Sequence, residues 1–346
     1  MIDSREKQII NFIQKARECS SKEIFDEIDL PVSYATLKRL LTKLISSNYI
    51  STTGKGKGTK YMISPAFQVI RPIDISKYYE KEIDEREIEE GFNFKIINDI
   101  LANHSVFTER DLEKLDNLQK IFRNNISQLS DNEYKKEFER LAIDLSWKSS
   151  QIEGNTYSLL ETERLLNEKE TAAGKTKEEA VMLLNHKDAL DFIIDAPDYL
   201  NPLSVSKIED IHSILVKELD VERNLRKRRI GISGTNYRPL DNQFQISEAL
   251  KDSCDLINKK SCVFEKALLA LVLISYIQPF MDGNKRTARI VSNAILMNEK
   301  YCPLSFRTVD SIDYKKAMLL FYEQNNISSF KEIFINQFEF AVNTYF

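Results

Sequence analysis

The stretch SYIQPFMDGNKRTARI, residues 275–290, decides how this chain is read. It reads as the apolar end of one helix, a turn, and a second helix beginning at Gly283 and Asn284. A glycine and an asparagine at a helix start leave main-chain N–H groups uncapped at the positive end of the helix dipole, a place that suits a polyphosphate. Lys285, Arg286 and Arg289 add positive charge just beyond it. Asp282 offers a hard carboxylate oxygen beside them, and Mg²⁺ is usually held by a carboxylate together with substrate phosphates. The preceding run CVFEKALLALVLISYI is apolar nearly all round, which predicts a buried central helix capped by the turn.

Outward from this centre the chain is almost all helical in its periodicity. Apolar repeats of about 3.6 residues predict helices near 94–103, 131–152, 177–193, 204–218, 263–277, 284–298 and 312–344, with no internal repeat. The N-terminal segment differs. Asp3 with Glu6, and Ser20 with Glu23, are capping-box pairs that open two short helices, and Leu37, Leu40, Leu41 and Leu44 give a third its apolar face. YISTTGKGKGTKYMIS then places two β-type runs around a Gly/Lys tip. Three compact helices and a hairpin predict a winged helix-turn-helix over residues 1–65. From Leu30 to Ser64 the charges are Lys38, Arg39, Lys43, Lys55, Lys57 and Lys60, with no Asp or Glu, the electrostatic footprint expected for DNA. Lys38, Arg39, Lys55 and Lys57 are the expected phosphate contacts. Winged helices also bind proteins or dimerise, so a homo-oligomer is left open. GKGKG is not a phosphate-binding Walker loop, because the GxxxxGK[ST] spacing and the following helix are absent. Residues 66–92 turn to Pro and a dense acidic mix and read as a connector whose acids are solvated.

The 346 residues, 42% hydrophobic and 29% charged, suffice for a sizeable core in two or three domains. A net charge of −4 and a pI near 5.7 exclude a chain that is basic throughout, so a nucleic-acid contact would need a local patch. The N-terminus lacks a signal-peptide apolar region and no membrane-length apolar run occurs, so a cytoplasmic protein without membrane contact is expected. Cys19, Cys254, Cys262 and Cys302 are scattered without CxxC spacing, and the histidines are His104, His186 and His212. No zinc site is expected, and packed or solvated roles are expected for all seven.

Residues 278–289 are similar to the signature of Fic (filamentation-induced-by-cAMP) domains, HPFx(D/E)GNxRxxR, with Gln278 where the catalytic histidine stands. The resemblance implies a mainly α, Fic-type helical domain over residues 93–346 with a small β-hairpin flap. It implies that Phe280 packs inward, Asp282 binds Mg²⁺, and Gly283, Asn284 and Lys285 line an anion hole for the α and β phosphates of ATP. Arg286 would steady the β phosphate and Arg289 the γ phosphate, where a planar guanidinium fits well. SSQIEGN, residues 149–155, resembles the family's inhibitory (S/T)xxxE(G/N) motif through Ser149, Glu153 and Gly154, on a helix of about residues 133–154. Glu153 near Arg289 would pair with the guanidinium meant for the γ phosphate. RRIGISGTNYRPL, residues 228–240, suggests a small hairpin and resembles the flap, where Ile232, Ser233, Gly234, Thr235 and Tyr237 would register an extended target segment. The basic run Arg223, Arg226, Lys227, Arg228 and Arg229 either attracts nucleotide or target, or is solvated.

The implied reaction is AMP transfer from ATP to a Ser, Thr or Tyr hydroxyl of a protein, with Mg²⁺, autoinhibited by Glu153. Two departures bear on it. A carboxamide has no basicity near neutral pH, so Gln278 cannot take the hydroxyl proton, and lost general-base help typically costs about 10²–10⁴ in rate. Lys285 gives a GNKR sequence, a feature shared with the Doc branch, which phosphorylates, whereas Arg289 and SSQIEGN favour the adenylyl-transferring branch. Two alternatives stand beside AMP transfer: a catalytically silent, nucleotide-responsive DNA-binding regulator, and a Doc-like kinase.

Overall fold

The computed structural model describes residues 2–28 and 31–346. The chain begins with α1 (Ser4–Ala16), β1 (Glu18–Ser20), α2 (Ser21–Glu27), α3 (Tyr34–Ser46), β2 (Ile50–Thr53) and β3 (Lys60–Ile63). Both capping boxes form: the side chains of Asp3 and Ser20 accept from the main chains of Glu6 and Glu23, whose carboxylates reach back to the cap N–H groups. Strand β3 lies between β1 and β2, antiparallel to each, with Thr52 opposite Tyr61. Strand β1, three residues long, was not expected; it closes the free edge of the hairpin. Ile9, Ile13, Ile24, Leu37, Leu41 and Leu44 pack into a small core of their own. Leu30, where the acid-free span begins, lies outside the described residues, as does the Lys57 side chain. Arg39 and Lys55 are exposed. Lys38 is half-buried and donates to the Tyr61 hydroxyl at 3.3 Å, and Lys43 pairs with the buried Glu6 at 2.5 Å.

The connector is ordered against the rest of the molecule through α4 (Phe67–Ile70), α5 (Ile75–Tyr78) and a 3₁₀ turn at Ile83–Glu85. Its acidic residues are exposed, as expected, while Val69 and Ile70 join the main core. A π-type turn, Ile96–Leu101, leads into α6 (Glu109–Ile126), α7 (Asp131–Ile152), α8 (Leu159–Glu168), α9 (Lys177–Asp195), α10 (Val205–Leu215), α11 (Gln243–Lys259), α12 (Val263–Ile277), α13 (Asn284–Asn298), α14 (Ser311–Gln324) and α15 (Ser328–Tyr345). Helices α7, α12 and α13 lie where the periodicity placed them. Helices α6, α8 and α11 were not foreseen. α6, for example, buries only Leu115, Leu118, Gln119 and Phe122, so charged residues dominate its pattern. The single helix expected over 312–344 is two, because Asn325 takes a left-handed conformation at φ 48° and ends α14.

Helix α12 runs through the centre, every residue from Ala267 to Ile277 buried, and packs most extensively against α13. Residues 228–240 form no hairpin ladder; the segment is extended, turns at Ser233–Gly234, and makes one isolated parallel bridge, Arg238 with Gly91. Its second limb is drawn into the core by buried Tyr237 and Leu240, and Pro239 has no N–H to give a partner strand. Among the described residues no helix is long and apolar enough to cross a membrane. Leu271 in α12 is fully buried. Leu271→Ala is expected to cost about 2–5 kcal/mol, read as a lower urea midpoint for the helical part of the chain.

Candidate functional site

Helix α12 ends at Gln278, which takes a left-handed conformation at φ 51°, and α13 begins six residues on behind Gly283 at φ 79°. The loop between them is fastened from several sides. The Asn284 side chain accepts from Phe280 N–H at 2.8 Å and donates to the Phe280 carbonyl at 2.9 Å and to Gln278 Oε1 at 3.0 Å. Gln278 Nε2 in turn donates to the Ser275 carbonyl at 2.6 Å and to the Tyr322 hydroxyl at 3.2 Å. No side chain caps α13, so the N–H groups of its first turn stay open to an anion. A Cβ on Gly283 would lie 3.4 Å from the His212 ring, and its positive φ favours glycine on its own account.

Three cations follow the turn. Arg289 is fully buried; its Nε donates to Ser149 Oγ at 2.8 Å, and its Nη2 to the Ser149 carbonyl at 2.9 Å and to Glu153 Oε1 at 3.0 Å. Lys285 reaches the other oxygen of Glu153 at 3.3 Å. Arg286 pairs with Asp282 at 3.1 Å. Two buried donors, Arg286 Nε and Arg289 Nη1, have no hydrogen-bond partner among the described residues. Glu153 is the C-cap of α7, the wrong end of a helix dipole for a carboxylate, and Gly154 follows it at φ 102°. Burial pushes the Glu153 carboxyl up, but Arg289 and Lys285 outweigh it and hold its pKa below the usual 4.5.

Residues 202–296 match the family model described as Fic/DOC. The chain carries a Fic/DOC domain. Relatives include the protein adenylyltransferase Fic of Nematostella vectensis, 28% identical over 184 residues, and fic-1 of Caenorhabditis elegans, 28% identical over 174. These alignments take in 49% and 48% of this chain but only 40% and 34% of the relatives. The fold matches solved structures: C. elegans Fic-1 (residues 134–508) at TM-score 0.61 and 20% identity, covering 68% of this chain and 71% of that one. A Fic family protein from Desulfovibrio desulfuricans gives TM-score 0.58 at 19% identity, covering 69% and 74%.

The geometry brings Ser149 and Glu153, which lie outside the matched residues 202–296, together with Lys285, Arg286 and Arg289 at one helix start. Phe280 is buried, as expected. The Asn284 side chain is spent on holding the loop, which leaves main-chain N–H groups to face an anion. Asp282 is 64% exposed in its side chain and stands alone as a metal-ligating group: among the described residues no cluster of three or more His, Cys, Asp or Glu side chains forms. One carboxylate beside an anion site suits Mg²⁺ shared with phosphates and does not suit a metal caged by protein alone.

Two side chains that the sequence left available to solvent, nucleotide or target, Arg226 and Tyr237, are buried. Arg226, counted in a basic run that could be solvated, is buried. Its main-chain N–H donates to the Pro279 carbonyl at 2.9 Å, Nε to the Gln278 carbonyl at 2.6 Å, Nη1 to the Arg228 carbonyl at 2.9 Å, and Nη2 to that of Leu240. It therefore ties the loop to both ends of the 228–240 segment, whereas Arg223, Lys227, Arg228 and Arg229 are exposed. His212 is buried, stacked on Phe280 with ring centroids 3.6 Å apart, and each ring nitrogen faces a carbonyl oxygen at 3.0 Å, of Arg223 and of Asp282. A position on the apolar face of α10 was the one available signal for it. Tyr237, expected to meet a target, is buried with its hydroxyl donating to the Tyr276 carbonyl at 3.3 Å, so it anchors the segment. Ile232 is half-buried, and Ser233, Gly234 and Asn236 remain exposed.

The depressed pKa of Glu153 fixes a pH dependence. Its stabilising contribution is complete above the unfolded value near 4.5 and is lost as pH falls through the lower folded value. Glu153→Gln should cost roughly 1.5–3 kcal/mol at neutral pH, with a gap from the unmodified chain that narrows below about pH 4.5, measured by urea unfolding across pH.

Proposed function

We propose that this chain transfers AMP from ATP to a Ser, Thr or Tyr hydroxyl of a protein, that Glu153 restrains the reaction, and that Gln278 slows it. The observation that carries this reading is the Glu153–Arg289 pair beside an uncapped helix start with two unpartnered buried guanidinium nitrogens. A polyphosphate is the anion that could satisfy them all. The names of the relatives, protein adenylyltransferases, support the reaction.

In this reading the N–H groups of Gly283, Asn284 and Lys285 take the α and β phosphates, Arg286 the β and, once released from Glu153, Arg289 the γ. Mg²⁺, held by Asp282 and the phosphates, would neutralise charge building on the leaving group. The acceptor oxygen bonds to the α phosphorus, the bond from that phosphorus to the β-phosphate bridge oxygen breaks, and pyrophosphate leaves. The hydroxyl proton is the unmet need. Gln278 offers no basic atom, and both ends of its amide are already engaged with Asn284, Ser275 and Tyr322. The proton then passes to solvent, at the cost of the general-base term.

That same engaged amide favours a second reading, in which the site senses nucleotide without transfer and residues 1–65, as a DNA-contacting winged helix joined by the 66–92 connector to the 93–346 domain, deliver the output. A Doc-like kinase is kept on the strength of Lys285.

Glu153→Gly should tighten Mg·ATP binding more than ADP or AMP binding in calorimetry, because the freed Arg289 meets only the γ phosphate. Gln278→His alone should transfer weakly, and the double variant should exceed the sum of the singles, since one change supplies the proton acceptor and the other the phosphate geometry it needs. Incorporation from α- against γ-labelled ATP separates AMP transfer from phosphorylation. An inert double variant that still binds ATP would favour the sensor.

For the N-terminal part, log affinity for duplex DNA should fall by about 0.9 per log unit of salt for each neutralised phosphate. Arg39→Glu with Lys55→Glu should flatten that slope. Salt-independent binding, or none at low salt, would assign this part to protein contacts.

A further inference from the structure

The connector does more than join two parts of the chain, because it grips the exposed turn of the 228–240 segment. Glu323, near the end of α14, is a carboxylate whose side chain is 1% exposed. Tyr78 donates to it at 2.8 Å, and Arg86 Nη1 donates to both its oxygens, at 3.0 and 3.2 Å. The Arg86 guanidinium is itself only 5% exposed and lies over the Tyr79 ring at 5.1 Å, while the Tyr79 hydroxyl donates to the Lys316 carbonyl at 2.8 Å. Held on that side, the guanidinium turns its other arm outward, and Nη2 donates to the Gly234 carbonyl at 3.3 Å.

The neighbours of this contact run the same way. Asn236 Nδ2 donates to Asp84 at 2.9 Å, and Arg238 N–H to the Glu90 carbonyl at 2.8 Å. On the inner side, a Cβ on Gly234 would stand 3.3 Å from a Leu319 methyl, so the turn is held between α14 and the connector. Among the described residues Gly231, Ile232 and Ser233 enter no main-chain-to-main-chain hydrogen bond, which leaves them open to pair with an incoming strand. An edge held in shape before binding saves the ordering cost of docking.

We propose that Arg86 is a positioning residue for the acceptor-docking segment 231–236, using its charge to satisfy Glu323 and its second fork arm to fix the turn at Gly234. This rests on the reading of that segment as the place where a protein acceptor lies. A lysine at position 86 could answer Glu323 but could not reach both partners from one planar group. The conservative substitution therefore separates a structural role from a positioning one.

The test is amide hydrogen exchange on the full chain. In Arg86→Lys, exchange of the bonded amides that close the segment, Tyr237 and Arg238, should quicken by about fivefold, the equivalent of one lost hydrogen bond, with the melting temperature and the affinity for Mg·ATP unchanged. Arg86→Ala should quicken the same amides and also lower the melting temperature, because Glu323 is left buried without its cation. Unchanged exchange at Tyr237 and Arg238 in both variants would overturn the proposal. So would an Arg86→Lys protein indistinguishable from the unmodified chain beside an unfolded Arg86→Ala, which would make Arg86 structural only. Weakened Mg·ATP binding in Arg86→Lys would overturn it too, by placing the defect in the phosphate site. None of these readouts requires transfer, so failure of the transferase reading would show separately in the labelling experiment.

Discussion

Arg289 is a fully buried guanidinium, and the arrangement of the site follows from what that charge requires. An unpaired ion in a protein interior costs several kcal/mol, so anionic and carbonyl oxygens must converge on it. Ser149 and Glu153 supply them from the last turn of α7, and Tyr314 of α14 offers its ring face at 5.3 Å. Three helices are thereby referred to one atom group. The arrangement is also incomplete, since Nη1 keeps no partner. Arg289 and Lys285, with Arg286 behind them, hold Glu153 in its charged form at the unfavourable end of its own helix. On the proposed reading, a ligand carrying more negative charge than one carboxylate would compete for the same cations, and would need to displace a side chain rather than refold a helix.

The loop from 278 to 284 is held by groups whose bonds do not depend on a base at position 278. Arg226 binds the main-chain carbonyl of that residue, and Asn284 fixes Phe280 through its main chain. His212 supports the far side through the carbonyl of Asp282. The left-handed backbone at Gln278 is strained for a side chain with a Cβ, and the bonds from its amide to Ser275, Tyr322 and Asn284 offset that strain. Geometry and proton chemistry are thus separable here: the carboxamide keeps the loop in place and offers no atom basic enough to take a proton near neutral pH.

The parts legible in the sequence were those governed by local rules. The capping boxes, the all-apolar α12 and the uncapped start of α13 each follow from a few adjacent residues, and the Glu153–Arg289 approach followed from a motif resemblance. The rest depends on partners far apart in sequence. Arg226 looked like one of five surface cations, because only the fold shows four carbonyls converging on its main chain and side chain. Tyr237 looked available to a target until Tyr276, 39 residues away, claimed its hydroxyl. The hairpin expected over 228–240 rested on alternation alone, which cannot reveal that one limb pairs with the connector instead of with its neighbour. Helix α6 went unseen for the opposite reason: its buried face is narrow and its charges many.

The two restraints on the site differ in physical kind, and that difference sets what can release each. At the phosphate end the restraint is electrostatic and buried, so salt screens it weakly and only a competing charge at the same guanidinium, or protonation of Glu153, undoes it. At the 231–236 end the hold on the turn is geometric: one fork arm of Arg86, one amide from Asn236 and one main-chain bond from Arg238, all on residues contributed or matched by the connector. A connector that shifts by an ångström breaks those bonds without touching the phosphate turn. The connector is continuous with the N-terminal helices, whose contact with the helical body includes Asn48 donating to the Ser105 carbonyl at 3.2 Å. On the proposed reading, nucleotide charge would act on one end of the site and displacement of the N-terminal part on the other, and neither input would need to pass through residue 278.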